Sequence, residues 1–299
     1  MSISTLIKTA FSDVFTPEIW QEFSAGKLLT PDFKKDIKIG DEVNVTLDGM
    51  VTLSPYTGGD LNISTVEKAT QTTVKIKINK GFSVFFSIDD AKMKQIENAK
   101  NNEERIKLVK QYSNDAKKQF AKQINKACCD QYTRAGNLIT GAASAAITLS
   151  ATNVAQIFSL AQAKLKIGDG KGHTAWVDGE MIAVISPMMQ AFMASMNLLQ
   201  YSDEMAKNYK TGYVGHFMGF EVIVDNDISK DGSNNEYPLF GRKSKTIAGG
   251  VQDDFEIKSD TPVGGFDEYY WGKGVFGVKT PLSYLLCSAK LAVNYTIGA

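Results

Sequence analysis

A long stretch from Glu103 to Thr133 contains neither proline nor glycine, and it constrains the fold more than any other part of the chain. Its apolar and small residues recur at steps of three or four, which places them on one side of an α-helix: Val109, Tyr112, Ala116, Phe120, Ile124 and Ala127. Asn102 can cap the first turn, and Gly136 provides a stop. The pattern predicts a helix roughly 45 Å long at 1.5 Å per residue. One narrow stripe packs against a core, and the remaining surface meets solvent or another molecule.

The remaining surface of this predicted helix is rich in lysine. Residues 92–126 hold ten Lys or Arg against four Asp or Glu, whereas residues 225–268 hold ten acidic residues against five basic ones. The formal net charge is zero, so the chain as a whole lacks the basic character of a nucleic-acid-binding protein. We predict a basic helix face that includes Lys117, Lys118 and Lys122. This face can attract the acidic half of a neighbouring copy.

At 299 residues, with 43% hydrophobic and 22% charged residues, the chain is long enough to bury a substantial core in one large domain or two modest ones. Its three cysteines are Cys128, Cys129 and Cys287, and an odd number without repeated spacing argues against a disulfide framework. The N-terminus lacks the pattern of a secretory signal, and no apolar run approaches the ~18 residues of a membrane helix. We therefore expect a soluble protein, made in a reducing cytoplasm, without a membrane partner.

The first 38 residues carry many apolar side chains, among them Trp20 and Phe23, yet they are too few to form a domain. They are also too apolar for a disordered tail. Thr16-Pro17-Glu18 can begin a short helix, with proline at its first position. We predict an arm that must pack on another surface, such as that of a neighbouring copy.

Two stretches then alternate between apolar and polar residues, as is typical of β-strands with one buried face. Their apolar positions are Val43, Val45, Leu47, Val74, Ile76 and Ile78. Asp48-Gly49 is a turn signal, and residues 54–62 have the composition of a loop. Residues 43–79 are therefore predicted to form two extended strands joined by a glycine-rich tip. Two strands alone are marginal in water, so this arm needs a partner surface.

The second half of the chain alternates predicted helices and strands, which indicates a mixed α/β domain. Asn153 is predicted to cap an amphipathic helix, residues 182–185 to form a buried strand, and Pro187 to open a further helix. Residues 212–224 contain a turn that leads into a strand. Further strands are predicted at 255–257, 269–279 and 283–293.

No catalytic, metal-binding or cofactor-binding motif emerges from the sequence. The two histidines, His173 and His216, lack partners at a metal-ligand spacing, and the acidic residues at 225–227 and 253–254 lack the spacing of a calcium loop. The loop Gly168–His173 resembles a phosphate loop only loosely, because it lacks the Gly-x4-Gly-Lys-Ser/Thr pattern. We predict that the chain is not an enzyme. The alternative is a soluble α/β enzyme that binds a phosphorylated ligand at Gly168–His173.

The order of these parts resembles a known family. The local phrases that carry the resemblance are Ile39-Gly-Asp-Glu-Val-Asn-Val, Val74-Lys-Ile-Lys-Ile-Asn-Lys, Phe85-Phe-Ser-Ile-Asp-Asp-Ala-Lys, Ala183-Val-Ile-Ser-Pro-Met-Met-Gln-Ala-Phe and Gly212-Tyr-Val-Gly-His-Phe-Met-Gly-Phe-Glu-Val-Ile-Val. With the N-terminal arm and the long helix, they look like the major capsid protein of tailed double-stranded-DNA bacteriophages, which has the Hong Kong 97-type fold. The resemblance covers about residues 15–290, and it consists of the order of the predicted elements and of these short sequence segments.

The resemblance implies an α+β, Hong Kong 97-like capsid fold. Its implied parts are an N-terminal arm (1–38), an extended two-stranded E-loop (39–81), a peripheral domain (82–152) with a spine helix (about 103–133), a mixed α/β axial domain (153–268), and C-terminal strands that return to the peripheral domain (269–299). The implied function is structural: many copies self-assemble, as pentamers and hexamers, into the icosahedral head of a virion that encloses double-stranded DNA. Assembly is expected in the bacterial host cytoplasm, with a scaffolding protein and a portal as partners, since the short arm leaves little room for a cleaved N-terminal segment.

Within that fold, the E-loop and the N-terminal arm imply contacts between subunits. The candidate contact residues are Trp20, Phe23, Val51, Leu53, Tyr56, Lys68 and Ile76. Some family members cross-link an E-loop lysine to a neighbour's asparagine, and Lys68 lies in that region, although no catalytic acid can be assigned. The basic helix face can also meet packaged DNA. Two alternatives stay open: an encapsulin-type shell that shares the fold and holds protein cargo, and a phage tail-tube protein, against which the long helix argues.

Overall fold

The computed structural model describes residues 25–33, 42–47, 72–88, 102–170, 173–196, 213–251, 258–260 and 268–292. Within these residues the α-helices are α1 (Asn102–Cys129), α2 (Ala151–Ile167) and α3 (Pro187–Ser195). The strands are β1 (Leu29–Phe33), β2 (Glu42–Leu47), β3 (Thr72–Lys77), β4 (Lys80–Ile88), β5 (Asn137–Ile139), β6 (Ile147–Thr148), β7 (Met181–Ile185), β8 (Tyr213–Phe217), β9 (Phe220–Val224), β10 (Leu239–Arg242), β11 (Ile247–Val251), β12 (Lys258–Asp260), β13 (Glu268–Lys279), β14 (Leu286–Ala289) and β15 (Leu291–Ala292). The architecture is a mixed α+β fold, as predicted.

A six-stranded sheet with the order β5-β14-β10-β7-β9-β8 forms the centre of the described structure. All five residues of β7 are buried, and successive side chains enter two different cores. Ile182 and Val184 belong to one core, whereas Ala183 and Ile185 belong to the other. A strand covered on both faces is expected to be a continuous apolar run. The buried strand predicted at residues 182–185 is therefore confirmed.

Helices α2 and α3 cover one face of this sheet, and each begins at a serine cap. The hydroxyl of Ser150 accepts a hydrogen bond from the Asn153 N–H at 3.1 Å, and that of Ser186 accepts one from the Met189 N–H at 3.2 Å. These side chains satisfy backbone donors that the first helical turn leaves free. The prediction that Pro187 opens a helix is confirmed. The prediction that Asn153 caps α2 is wrong, because Ser150 provides the cap three residues earlier.

Phe158 of α2 lies at the centre of the core on this face. Its side chain is fully buried, and its ring meets those of Phe217, Phe220 and Phe240 nearly at right angles. The three centroid distances are 4.9, 5.7 and 5.1 Å. Each edge-to-face pair adds about 0.5–1.5 kcal/mol to the effect of burial. These contacts hold α2 on β8, β9 and β10.

The long helix α1 packs with its C-terminal half on the opposite face of the sheet. Ile124 and Cys128 are buried there, in the same core as Ile182. The helix predicted for residues 103–133 is confirmed, since α1 has 28 residues and a 3-10 turn continues it to Arg134. This helix is roughly 42 Å long at 1.5 Å per residue. Neither α1 nor any other helix of the described residues is both long and apolar enough to cross a membrane.

A second sheet has the order β1-β11-β13-β12, and β4 also pairs with β13. Helix α1 contacts the β4–β13 pair through aromatic rings. The ring centroids of Tyr112 and Phe86 are 5.4 Å apart, and the ring of Phe120 meets that of Phe276 edge-on with 5.7 Å between centroids. Gly274 makes room for this contact, because a Cβ there would lie 2.7 Å from the ring of Phe120. Helix α1 therefore joins the two sheets.

Strands β2 and β3 form a separate two-stranded sheet, paired antiparallel along all six residues of each strand. The predicted pairing of the two alternating stretches is confirmed. The predicted turn at Asp48-Gly49 and the glycine-rich tip at 54–62 lie outside the described residues. Ile76 and Ile78 are buried, so the base of this arm is anchored in the body of its own chain.

The C-terminal strands return to strands from the first half of the chain. β13 pairs with β4, β14 with β5, and β15 with β6. However, β13 also pairs with β11 and β12, and β14 also pairs with β10. The two sheets therefore mix strands from residues 82–152 and 153–268. The strand predicted at 269–279 is confirmed, whereas that at 255–257 lies outside the described residues.

Candidate subunit-contact surfaces

Of the seven predicted contact residues, Ile76 is the one that the described residues include. The other six lie outside them: Trp20, Phe23, Val51, Leu53, Tyr56 and Lys68. Ile76 is 1% exposed, and it alternates with the exposed side chains of Lys75 and Lys77. The apolar side of β3 therefore packs inside its own chain, so the side chain of Ile76 presents little surface to a neighbour.

The polar side of the arm carries a small network of ion pairs. The Glu42 carboxylate lies 3.2 Å from Lys75 Nζ and 3.8 Å from Lys77 Nζ. The hydrogen bond from Lys75 and its positive charge lower the pKa of the Glu42 carboxyl group. Such exposed pairs contribute little to stability. Lys279 Nζ donates to the Lys75 carbonyl oxygen at 3.0 Å, which ties the arm to the end of β13.

An exposed aromatic surface lies on the outer side of the β4–β13 pair, and we call it the aromatic face. Phe85 is 67% exposed, and Trp271, directly opposite it in the strand register, is 37% exposed. Tyr269 stacks on Phe85 at 5.6 Å. The next residue, Phe86, has the opposite orientation and stacks on Tyr270 at 5.1 Å. Exposed apolar surface of this kind is typical of protein contact sites.

The exposed side of α1 carries lysines at intervals of four residues. Lys118, Lys122 and Lys126 are all exposed, and successive lysines lie about 6 Å apart along the helix. Lys122 Nζ is 3.6 Å from Asp227 Oδ1. The side chain of Lys117, which the sequence also assigned to this face, is outside the described side chains. The predicted basic face thus includes Lys118 and Lys122, and it continues to Lys126.

A buried polar group joins α1 to the start of the described chain, and we call it the Asn125–Asp225 clamp. Asn125 Oδ1 accepts from the N–H groups of Ala25 and Gly26 at 3.0 and 3.2 Å. Asn125 Nδ2 donates to Asp225 Oδ2 at 2.7 Å, and the same oxygen accepts from the Ala25 N–H at 3.2 Å. The N–H of Asp227 donates to Asp225 Oδ1 at 2.8 Å. Three donors therefore surround one buried carboxylate.

Burial raises the pKa of Asp225, although these hydrogen bonds oppose the rise. In the structure, the oxygens of Asp225 are directed to protein donors. Among the described residues, no group of three or more His, Cys, Asp or Glu side chains is placed to hold a metal ion. The sequence does not reveal the clamp, because its two side chains are 100 positions apart.

The glycine-rich loop after α2 is closed on itself. The backbone N–H groups of Gly168, Asp169 and Gly170 donate to the carbonyl oxygens of Lys164, His173 and Ile167, respectively. Gly168 has φ 63°, and a Cβ there would overlap the carbonyl oxygen of His173. A phosphate-binding loop directs several backbone N–H groups at its ligand. Since these three donors already have partners, the described part of the loop does not form such a cradle.

Comparison with known proteins gives a consistent result at the level of structure. No family model matches the sequence, and no curated protein matches it. The capsid of Ralstonia phage GP4 matches with a TM-score of 0.65 at 13% identity, over 90% of this chain and 88% of that chain. The capsid of cyanophage P-SCSP1u matches with a TM-score of 0.60 at 12% identity, over 88% and 86%. A virus-like particle from Pyrococcus furiosus matches with a TM-score of 0.53 at 12% identity, over 95% and 98%. The chain has the fold of phage capsid proteins.

Proposed function

We propose that the chain is the major capsid protein of a tailed double-stranded-DNA phage, a structural subunit rather than an enzyme. The observation that carries the proposal is the match to phage capsid structures, which extends over most of this chain and most of each matched chain. A match of this extent leaves little of the chain for an additional catalytic domain. The closed loop at Gly168–Gly170 likewise supports a structural role, since its backbone donors are already bonded.

In this proposal, residues 1–38 form the N-terminal arm and residues 39–81 form the E-loop. Helix α1 is the spine helix of a peripheral domain (82–152), and residues 153–268 form most of the axial domain. The base of the arm is anchored by the chain itself, through Ile76 and Ile78. A two-stranded arm is marginal alone, so the strands beyond the base are stabilised by a neighbouring copy.

Copies that each place an arm on the next copy make heterologous contacts, and such contacts close into rings. We propose pentamers and hexamers that assemble into an icosahedral virion shell around double-stranded DNA. Assembly takes place in the host cytoplasm, with a scaffolding protein and a portal as partners. The aromatic face around Phe85 and Trp271 supplies apolar area for these contacts.

A second candidate is an encapsulin-type shell that encloses protein cargo. The match to the Pyrococcus furiosus virus-like particle, over nearly all of both chains, favours it. The phage interpretation has the stronger support, because the TM-score with the Ralstonia phage GP4 capsid is higher. The two candidates differ in what the shell contains, either nucleic acid or protein.

Negative-stain electron microscopy and light scattering of the full chain, alone and together with a phage scaffolding protein, test the proposal. We expect closed shells or ring-shaped capsomers. Monomers at every protein and salt concentration under both conditions would contradict a shell function. Shells isolated with a bound enzyme and without nuclease-resistant DNA would identify the encapsulin-type alternative.

A substitution on the aromatic face tests its role in assembly. Phe85→Ser removes a largely exposed ring, so we expect a lower yield of shells and an unchanged urea midpoint of the unassembled protein. Leu160→Ser on α2 is the matched control, because that apolar side chain is also exposed, at 48%. Equal yields for Phe85→Ser and wild type would show that the aromatic face makes no contact in the shell.

A further inference from the structure

The exposed side of α1 has an unusual charge arrangement for a surface helix. Lys118, Lys122 and Lys126 follow one another at i, i+4 and i+8. Like charges at this spacing destabilise a helix by roughly 0.2–0.5 kcal/mol per pair, whereas surface helices usually place Glu four residues before Lys. Asp115 is exposed on the same side, and Asp227 approaches Lys122. With Asp115 and Asp227 counted against the three lysines, this face has a net charge of about +1.

Three of the side chains around these lysines are amides that can donate hydrogen bonds, whereas Asp115 can only accept them and is negatively charged. The other exposed residues on this side of α1 are Gln111, Asn114, Asp115 and Gln119. The nearest exposed aromatic residue, Tyr112, already contacts Phe86, with 5.4 Å between the ring centroids. Protein–protein contact sites are enriched in Trp, Tyr and Arg anchors, and the described side chains of this face include none. Contacts to nucleic-acid phosphates instead use Lys, Asn and Gln donors without an apolar centre.

We infer that this face of α1, comprising Gln111, Asn114, Lys118, Gln119, Lys122 and Lys126, binds the phosphate backbone of double-stranded DNA. The inference deepens the proposed function, since it names the surface that contacts the enclosed DNA. Lys118 and Lys126 lie about 12 Å apart along the helix. Phosphates of one DNA strand recur every ~3.4 Å along the duplex axis, so the face spans roughly three or four of them. The contact is independent of base sequence.

Repetition of a weak contact makes it effective inside a shell. One copy supplies a net charge of about +1 on this face, which gives low affinity at physiological salt. Many copies on one surface raise the effective concentration of such contacts and hold the polymer by avidity. Weak individual contacts also leave the DNA free to slide during packaging and ejection, because each contact exchanges rapidly.

The test uses unassembled full-chain protein and a fluorescently labelled 30-bp duplex, with fluorescence anisotropy measured between about 0.02 and 0.2 M salt. The test variant is Lys118→Gln/Lys122→Gln/Lys126→Gln. The control, Lys243→Gln/Lys245→Gln/Lys273→Gln, removes the same charge from exposed lysines elsewhere. The double variant Lys118→Gln/Lys126→Gln leaves the Lys122–Asp227 pair intact, and it replaces the triple variant if the latter fails to fold.

Loss of about two phosphate contacts should lower the slope of log K against log salt by about 2, and should weaken binding by more than about tenfold at 0.02 M salt, where binding by one copy is strongest. The control should change binding less than twofold. Equal binding by wild type and test variant, no binding by wild type, or an equal loss in the control would overturn the inference. A test variant that binds DNA normally but no longer assembles would assign the face to an acidic protein surface instead. Because binding is measured without shells, failure of the shell proposal appears separately, in electron microscopy of the wild type.

Discussion

The Asn125–Asp225 clamp gives the sharpest prediction about stability. Asn125→Ala removes the acceptor of the Gly26 N–H and the side-chain donor to the Asp225 carboxylate. Leaving a buried N–H without a partner costs about 1–3 kcal/mol, and losing a hydrogen bond to a charged group costs about 1.5–3 kcal/mol. We therefore expect the free energy of unfolding to fall by about 3–5 kcal/mol at pH 7, the range for breaking a buried charged network.

The substitution should be measured by urea unfolding of the unassembled protein, with light scattering to exclude shells. Asn114→Ala is the matched control, because Asn114 lies on the same helix and is exposed. Both substitutions gain the same helix propensity, so their difference isolates the clamp. We expect the control to change stability by less than about 0.5 kcal/mol. If the two variants lose equal stability, the clamp does not hold the chain together in the way described.

The cost of Asn125→Ala should also depend on pH. Burial raises the pKa of Asp225 above its unfolded value, and Asn125 opposes that rise, so removing Asn125 raises the pKa further. Between the unfolded and folded pKa values the native state binds more protons, so stability declines as pH rises through this window. The variant should therefore lose less stability relative to wild type at pH 4 than at pH 7. A loss that is the same at both values would show that the Asp225 charge is not involved.

Three further predictions concern packing and reactivity. Phe158→Ala should lower the free energy of unfolding by about 3–5 kcal/mol, measured by urea unfolding, since its ring is fully buried among three others; a loss below about 1 kcal/mol would contradict this packing. Gly277→Ala places a Cβ 2.3 Å from a β3 carbonyl oxygen. It should lower the free energy of unfolding by about 1–3 kcal/mol and speed proteolysis of the arm. Gly232→Ala is the control and should do neither, because no atom lies within 4 Å of its Cβ position. Burial raises the pKa of the Cys128 and Cys287 thiols to about 12, so iodoacetamide at pH 8 should label them in urea but not in the native protein, as mass spectrometry can establish.

Periodicity was sufficient to predict the elements whose environment is uniform along their length. Among the side chains that the structure describes, helix α1 is buried on one side from Ala116 onward, and β7 is buried on both sides, as their patterns predict. The pattern predicts the arm strands β2 and β3 equally well, because strict alternation of apolar and polar residues fixes their register. The orientation of the arm was not predicted. Alternation shows that Ile76 has an apolar environment, but it does not distinguish the core of the same chain from the surface of a neighbour.

The contact surfaces required information that is remote in sequence. Phe85 and Phe86 are adjacent and equally apolar, and their opposite orientations follow only from the pairing of β4 with β13. A search for aromatic residues that match in strand register, such as Phe85 with Trp271, would have found the aromatic face. The sequence contains even less information about the clamp, because an asparagine on a helix and an aspartate in a turn are usually solvated. Their burial depends on how α1 crosses the six-stranded sheet.

The placement of the clamp suggests why a buried charge is tolerated. A buried polar network contributes little net stability compared with apolar packing, but it allows only one arrangement of its partners. The clamp fixes the backbone at Ala25 and Gly26, inside the proposed N-terminal arm and directly before the part of it that pairs with β11. The second arm is fixed at its base by Ile76 and by the hydrogen bond from Lys279. Because the chain is fixed at the clamp and at the base of the second arm before assembly, less conformational entropy is lost when each arm contacts a neighbour. In a shell built from many weak contacts, this preorganisation decides whether arms reach the correct copy, so an Asn125→Ala protein that still folds should assemble into irregular rather than closed particles.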